Sequence, residues 1–407
     1  MTEVEDVALR RVTVSIKDGT HGTHERVADG VPLLSAKNVV DGRIVMSDAE
    51  SLIAEPDFRA IHRTGYLRPG DVLLTIVGSI GRVAIFDMTE PVAFQRSVAS
   101  IRPDPSIETA FLAYVMQSAA FQEALLASVR TSAQSGVYLG DLATLPVPLV
   151  PLTHQREIAD FLDAEMARID ALIEKKQGMI ALLRERFMSG RRGEFDRLTS
   201  SYGEITLRRC VRCLDGRRIP LNAEERAVRP GPYPYWGAGT VVDYIDEYLF
   251  DEALVLLGED GAPFFDKSRD VAFYVSERIW VNNHIHVLRP NSGWLPRFLM
   301  HMLNAVDFSA YITGSTRDKL TQSEMDAIRL PAAPVNEQPE VVNELDRLLG
   351  TVGSLRDRLS RQIDLLREHS QALITAAVTG QLDVATATGS SRASESRKST
   401  ASPRLQG

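Results

Sequence analysis

Cysteine is nearly missing from this sequence: Cys210 and Cys213 are the only two in 407 residues. A structural zinc normally takes four Cys or His ligands. The lone CVRC has no second CxxC and no His pair at suitable spacing, so reduced structural thiols are expected there. Long apolar runs are missing too, which excludes a membrane-spanning helix, and the N-terminus MTEVEDVALR is too acidic and polar for a signal peptide. A cytoplasmic protein with no membrane role is expected. The patterns GxxxxGKS/T, GxGxxG, GxSxG and HExxH do not occur, so no nucleotide cofactor, hydrolase triad or zinc protease centre is indicated and no cofactor is expected. Nor is positive charge in excess, with 46 Lys and Arg against 54 Asp and Glu. That balance argues mildly against a nucleic-acid partner, although a basic face can coexist with acid elsewhere.

What the sequence does hold is a long helical pattern that occurs twice. In Thr153 to Arg192, apolar residues fall at Ile158, Leu162, Ile169, Leu172, Met179 and Leu183, in steps of three and four. Setting Gln155 on Gln338 gives an offset of 338 − 155 = 183. At that offset Pro148, Pro151, Glu157, Leu162 and Asp163 fall on Pro331, Pro334, Glu340, Leu345 and Asp346, and the run Leu182 to Glu185 falls on the identical Leu365 to Glu368. The second copy carries the seam Val341, Leu345, Leu348, Val352, Leu355, Leu359 and Leu366. Two helices with narrow apolar seams, each roughly 50 Å long, bury those seams most economically on each other. Gly350 and Gly353 each weaken the second helix by up to about 1 kcal/mol and are expected to mark a bend.

The segments before the two helices also resemble each other. In the first, β-prone runs Val12 to Ile16, Val72 to Val77 and Val83 to Phe86 precede a helical patch at Thr109 to Val129. Gly78-Ser79-Ile80-Gly81 reads like Gly258-Glu259-Asp260-Gly261, and Phe94 to Pro103 like Val281 to Pro290. The expected fold is α+β: two similar mixed α/β domains, separated by two long antiparallel helices forming a coiled coil with a pseudo-twofold internal repeat. Expected boundaries are a first domain at 1–150, a first spacer helix at 151–192, a linker at 193–203, a second domain at 204–334, a second spacer helix at 335–384 and a disordered tail at 385–407. Thr153 is the expected cap of the first helix.

Constellations for catalysis are thin. His284 and His286 would share a strand face without a third metal ligand, and His21 with His24 is no better supplied. Glu259, Asp260 and Asp251 could be imagined as a magnesium site, but the first copy keeps no carboxylates in the matching turn. The better fit is a set of polar, loop-borne groups able to read base edges and phosphates. In the first half these are Thr20, His21, Lys37, Asn38, Ser79, Arg82, Gln95, Arg96, Ser97 and Gln134. In the second they are Arg217, Arg218, Tyr235, Trp236, Asn282, Asn283, His284, Arg317 and Lys319.

The ordering of variable half, proline-bounded helix, variable half and second helix resembles the specificity subunit of type I restriction-modification enzymes. Pro151, Gln155, Glu157, Ile158, Phe161, Leu162, Asp163, Ile169, Asp170, Leu172, Ile173, Lys175 and Lys176 carry the resemblance. So do Gln338, Leu345, Leu365, Leu366, the ending Ala372 to Val384, and the segments DGTH at Asp18, GDVL at Gly70 and WVNNH at Trp280. The resemblance implies two target recognition domains reading a bipartite, asymmetric site on double-stranded DNA. It also implies docking of two DNA methyltransferase (modification) subunits and, through the complex, restriction (translocase/nuclease) subunits, with no catalysis by this chain. Readers of successive major grooves lie about 34 Å apart, within reach of such a spacer. A coiled-coil scaffold or signalling protein, whose domains bind protein or small ligands without DNA specificity, is the alternative.

Overall fold

The computed structural model describes residues 5–386 other than 64, 65, 131–134, 267, 313–318 and 385, so nearly all of the expected tail lies outside the described residues. It divides into two compact units, Met1–Glu174 with Gln362–Gly407, and Lys175–Arg361.

In the first unit an antiparallel sheet runs in the order Thr13–Asp18, Val98–Pro103, Val72–Thr75, Val83–Ile85. The second unit repeats that order with Val211–Cys213, Ile285–Pro290, Leu254–Gly258 and Ala272–Val275. Each unit adds a second sheet containing one parallel pair: Val31–Leu34 on Ala93–Phe94, and Pro230–Trp236 on Arg278–Val281. Each also has a short closing ladder, Glu5–Ala8 with Pro146–Leu149 and Glu204–Thr206 with Arg329–Pro331. The duplication therefore extends to strand order.

The central strands are continuous apolar runs because both of their faces are covered. Val72 and Leu74 enter a core with Phe111 and Leu112 of helix Thr109–Gln117, while Leu73 enters a separate core with Leu34 and Phe94. Val255 and Leu257 likewise pack with Phe298 and Leu299 of helix Pro296–Leu303, and Leu254 and Leu256 with Phe250 and Ile279. The expected single patch at Thr109 to Val129 is two helices, because Ser118 is extended and its hydroxyl caps the second by accepting from Phe121 N.

Register corrects one alignment. Val72 faces Ile101 and Val255 faces Leu288, so Thr75, not Gly78, corresponds to Gly258. Gly78 corresponds to Gly261, and both have positive φ, 80° and 74°. Gly258 is glycine for a different reason: an added Cβ would stand 2.3 Å from the Ala262 Cβ.

The first long helix is Leu152–Tyr202, 51 residues, so the expected linker 193–203 is helical almost to its end and Thr153 lies inside the helix rather than capping it. Phe187, Arg191, Phe195 and Leu198 are buried at steps of four, four and three, and this face extends the helix past Gly190 and Gly193, beside which added Cβ atoms would meet open space. Gly203, at φ 71°, ends it by donating from its N–H to Thr199 O at 2.8 Å. The second long helix, Gln338–Val378, is one continuous element through Gly350 and Gly353.

Of the expected seam residues, Ile158, Leu162, Ile169, Val341 and Leu345 are buried, and Leu183, Leu348, Val352, Leu359 and Leu366 are half-buried. Leu172, Met179 and Leu355 face solvent instead, at 43%, 46% and 36% exposure. Ile173 and Ile180 turn inward in place of the first two, because inward positions recur close to every 3.6 residues rather than on the strict 3.5 of a heptad. Within the first unit, Ile158 and Leu162 share a core with Ile374, Ala377 and Val378, and the Ser370 hydroxyl meets the Met166 sulfur, so these two helix segments run antiparallel. Within the second unit, Phe195 and Leu198 share a core with Val341 and Leu345.

Both helices are tied to their units by the same two residues. Gln155 and Gln338 are fully buried. Gln155 accepts from Glu108 N at 2.7 Å and donates to Ser106 O and Val150 O at 3.1 and 2.7 Å. Gln338 accepts from Leu295 N at 2.8 Å and donates to Gly293 O and Ala333 O at 3.0 and 3.1 Å. Eight residues later, Asp163 accepts from the Tyr114 hydroxyl at 2.7 Å, and Asp346 pairs with His301 at 2.9 Å. Burial pulls the His301 imidazole below its ordinary value against the opposing effect of Asp346. A base with a depressed folded pKa favours the neutral form, so its contribution is complete above about pH 6.5 and declines as pH falls below that value. The unfolding midpoint is therefore expected to drop between pH 7 and pH 5 in wild type. The drop should be smaller in His301→Gln, as read by thermal melts across that range.

Candidate nucleic-acid interface

The strand ends of each unit meet in a rim built on the same backbone bonds. In the first, Gln95 N donates to Leu34 O at 2.8 Å, Ile76 N to Ser97 O at 2.9 Å and Val137 N to Ile76 O at 3.0 Å. In the second, Asn282 N donates to Trp236 O at 3.1 Å, Glu259 N to His284 O at 3.0 Å and Leu320 N to Glu259 O at 2.8 Å. Residues 95–97 thus correspond to 282–284, Ile76 to Glu259, and Gly136 to Lys319. These correspondences move the turn carboxylates: Glu259 and Asp260 stand where the first unit has Ile76 and Val77, not Ser79 and Ile80.

Around the first rim, Thr20 bridges Gln95, and Arg96 N donates to Thr20 O at 3.1 Å. Gly19 is glycine because a Cβ there would lie 2.1 Å from Phe94 O. His21, Lys37, Ser79, Arg82 and Arg96 are exposed. His21 pairs with Asp18 at 2.6 Å, Lys37 with Glu50 at 2.9 Å, and the Arg82 guanidinium donates to Val39 O at 3.3 Å. Two of the sequence candidates have structural work instead. Asn38 is buried, accepting from Ser35 N and donating to Val45 O and Glu50, while the Ser97 hydroxyl accepts from Ala36 N at 3.1 Å. Gln134 lies outside the described residues. A cavity of about 420 Å³, lined by Asp18, Thr20, His21 and Tyr66, opens at this rim.

Around the second rim, Asn283 is exposed and His284 is part-exposed beside Asp260 at 3.5 Å. Asn282 turns its side-chain oxygen to His284 N at 2.8 Å. Arg217 is exposed, with its guanidinium over the Phe250 ring and donating to Leu249 O at 3.0 Å. Tyr235 is buried with its hydroxyl bonded to Leu221 N, and Trp236 leans on Phe273, so neither offers a fully open face. Arg317 lies outside the described residues.

Arg218 turns inward, into a cluster that the sequence did not disclose. It donates to Glu259 at 2.5 Å and Ile285 O at 2.8 Å, and its guanidinium lies 3.4 Å from Asp215. Asp215 pairs with His286 Nδ1 at 2.6 Å and accepts from Val287 N at 2.8 Å. Burial alone would raise the Asp215 carboxyl, but His286, Val287 and Arg218 overcome that and hold it below the ordinary range. Lys319 reaches Glu259 at 3.5 Å. Ligand atoms of Asp215, Glu259 and His286 lie within 4.8 Å of one another, a group that does not include His284. Both imidazole nitrogens of His286, however, face protein acceptors, Asp215 and Leu320 O, and Arg218 lies against both carboxylates. The arrangement is an ion network rather than an open ligand set. Asp251, the other imagined magnesium ligand, pairs with Arg278 at 2.9 Å.

Burial pushes the Cys210 thiol up to about 12 and Cys213 up to about 11. Both are therefore thiols near neutrality and lack the thiolate that thiol–disulfide exchange needs. In the folded protein at pH 8, both are expected to react with a thiol reagent far more slowly than free cysteine, and denaturant should restore the ordinary rate.

Residues 63–180 and 214–364 match the family model described as the type I restriction modification DNA specificity domain. The chain belongs to this family. A putative type I restriction enzyme specificity subunit of Haemophilus influenzae is 32% identical over 135 residues, covering 33% of this chain and 34% of the relative. The type I restriction enzyme EcoBI specificity subunit of Escherichia coli is 27% identical over 156 residues, covering 38% and 32%. The matched stretches thus span about a third of the length of these curated relatives. A solved structure, described as the structural basis of complex assembly and conformational transition of the type I R-M system, superposes with a TM-score of 0.66. It covers 94% of this chain and 99% of its own at 15% identity, which establishes the shared fold. Among the described residues of this family member, no helix is long and apolar enough to cross a membrane.

Proposed function

We propose that this chain is the non-catalytic, sequence-reading subunit of a type I restriction-modification complex in the cytoplasm. Each unit is a target recognition domain, and together they read a bipartite, asymmetric site on double-stranded DNA. Two DNA methyltransferase (modification) subunits supply methyl transfer, and restriction (translocase/nuclease) subunits join through the complex. The observation that carries this reading is the pair of rims with one backbone frame and different side chains: Gln95 and Arg96 on one, Asn283 and His284 on the other. A duplicated enzyme centre would repeat its chemistry, whereas two readers of different half-sites need a common scaffold with unlike polar groups. Family membership and the names of the relatives support the same reading.

Selection from random duplexes by the purified chain with its methyltransferase partner tests it. Two short unlike motifs at a fixed spacing should be enriched, with affinity falling steeply as salt rises. A pool without enrichment would sink the proposal.

A further inference from the structure

Beneath the second rim, four chain segments far apart in sequence are held by charge. Asp215 and Arg218 come from the turn after strand Val211–Cys213, Glu259 from the turn after Leu254–Gly258, and His286 from strand Ile285–Pro290. Lys319 comes from the loop that bridges Asp260. Asp215, Arg218 and Glu259 have side chains only 11%, 14% and 12% exposed, and His286 only 2%. Register shows what stands at the same places in the first unit: Glu259 matches Ile76, His286 matches Ala99 and Lys319 matches Gly136. Ile76 belongs to an apolar core. At these three places the first unit therefore has no charged group, whereas the second has an ion network.

Resting on the DNA-reading proposal above, we infer that Glu259, with Asp215, is a positioning residue for the second half-site. It holds Arg218 inward and Lys319 back, so that Asn283, His284 and the 319–320 loop keep one arrangement. Arg218 is then a strut of the rim and not a base reader. The network also keeps two cations adjacent to the rim neutralised. A buried carboxylate bridging two cations from different segments fixes their relative positions, and removing its charge leaves those cations to find other anions. At a nucleic-acid surface the nearest anions are phosphates, which bind cations without regard to sequence.

Glu259→Gln keeps the shape and removes the charge, and it is the variant to test in the full chain with its methyltransferase partner. Random-duplex selection and binding across a salt series should show the second motif's preference falling about tenfold or more, the first motif unchanged and tight non-specific binding increased. The slope of log affinity against log salt should steepen by about 1 to 2 units as Arg218 and Lys319 engage phosphates. A merely structural defect would weaken all binding and would not steepen that slope. Asp215→Asn, which retains an acceptor for Val287 N, should reproduce the loss at the second motif, and a circular dichroism melt confirms that either variant is folded. If folded Glu259→Gln keeps the wild-type second motif and salt slope, or loses both motifs equally, the positioning role is wrong. If wild type itself selects no motif, the failure belongs to the DNA-reading proposal instead.

Discussion

Gln155→Leu is expected to destabilise the first unit by about 3 kcal/mol, and Gln338→Leu the second by a similar amount. Leucine fits the volume but leaves one buried N–H and two carbonyls without partners, at about 1 to 3 kcal/mol for each group that water cannot reach. The two glutamines make the same three bonds in their two units, to backbone groups of matching position. Denaturant unfolding should therefore show two similar losses, each accompanied by faster hydrogen exchange in its own unit, at Glu108 N in one and Leu295 N in the other. A loss below about 0.5 kcal/mol, the range of an ordinary surface substitution, would show that the amides are not the anchors of the helix starts.

Substitutions at the exposed rim positions should separate the units functionally. Arg96→Ala is expected to relax one half-site only, and Asn283→Ala the other only, each by roughly 5- to 150-fold, the range of about 1 to 3 kcal/mol for a good base contact. The two residues hold corresponding places on the two rims, next to Thr20 O in one case and between Asn282 and His284 in the other. Competition binding with duplexes mutated in one half-site at a time measures the effect. Equal relaxation of both half-sites by either substitution would mean that the rims do not act as separate readers.

Much of this architecture was legible in the residues, and the exceptions have physical causes. The offset of 183 found the duplicated helix starts because buried Gln155 and Gln338 are held to one identity by three bonds each. Glycine misled the strand alignment: Gly258 answers to crowding by Ala262, whereas Gly78 and Gly261 answer to positive φ, and the letter is the same for both demands. Leu172 with Ile173 and Met179 with Ile180 are adjacent apolar pairs, so periodicity alone could not choose the inward member. Gly193, Gly203 and the polar residues between them read as a linker, but burial of Phe195 and Leu198, on the face that also carries Arg191, overrides local propensity. The ion network left no local trace, since Asp215 and His286 are 71 residues apart. Arg218 looked like a base reader because its type is right, and only its partners reveal that it points inward.

On the proposal above, two unlike readers on one duplicated frame select one asymmetric, split DNA sequence for modification. Methylome sequencing of a host carrying the partner subunits, with and without this chain, tests it most directly. The proposal predicts a methylated motif of two different short sequences around a fixed gap, present only with the chain. A motif that is palindromic or contiguous, or a methylome unchanged by loss of the chain, would contradict it.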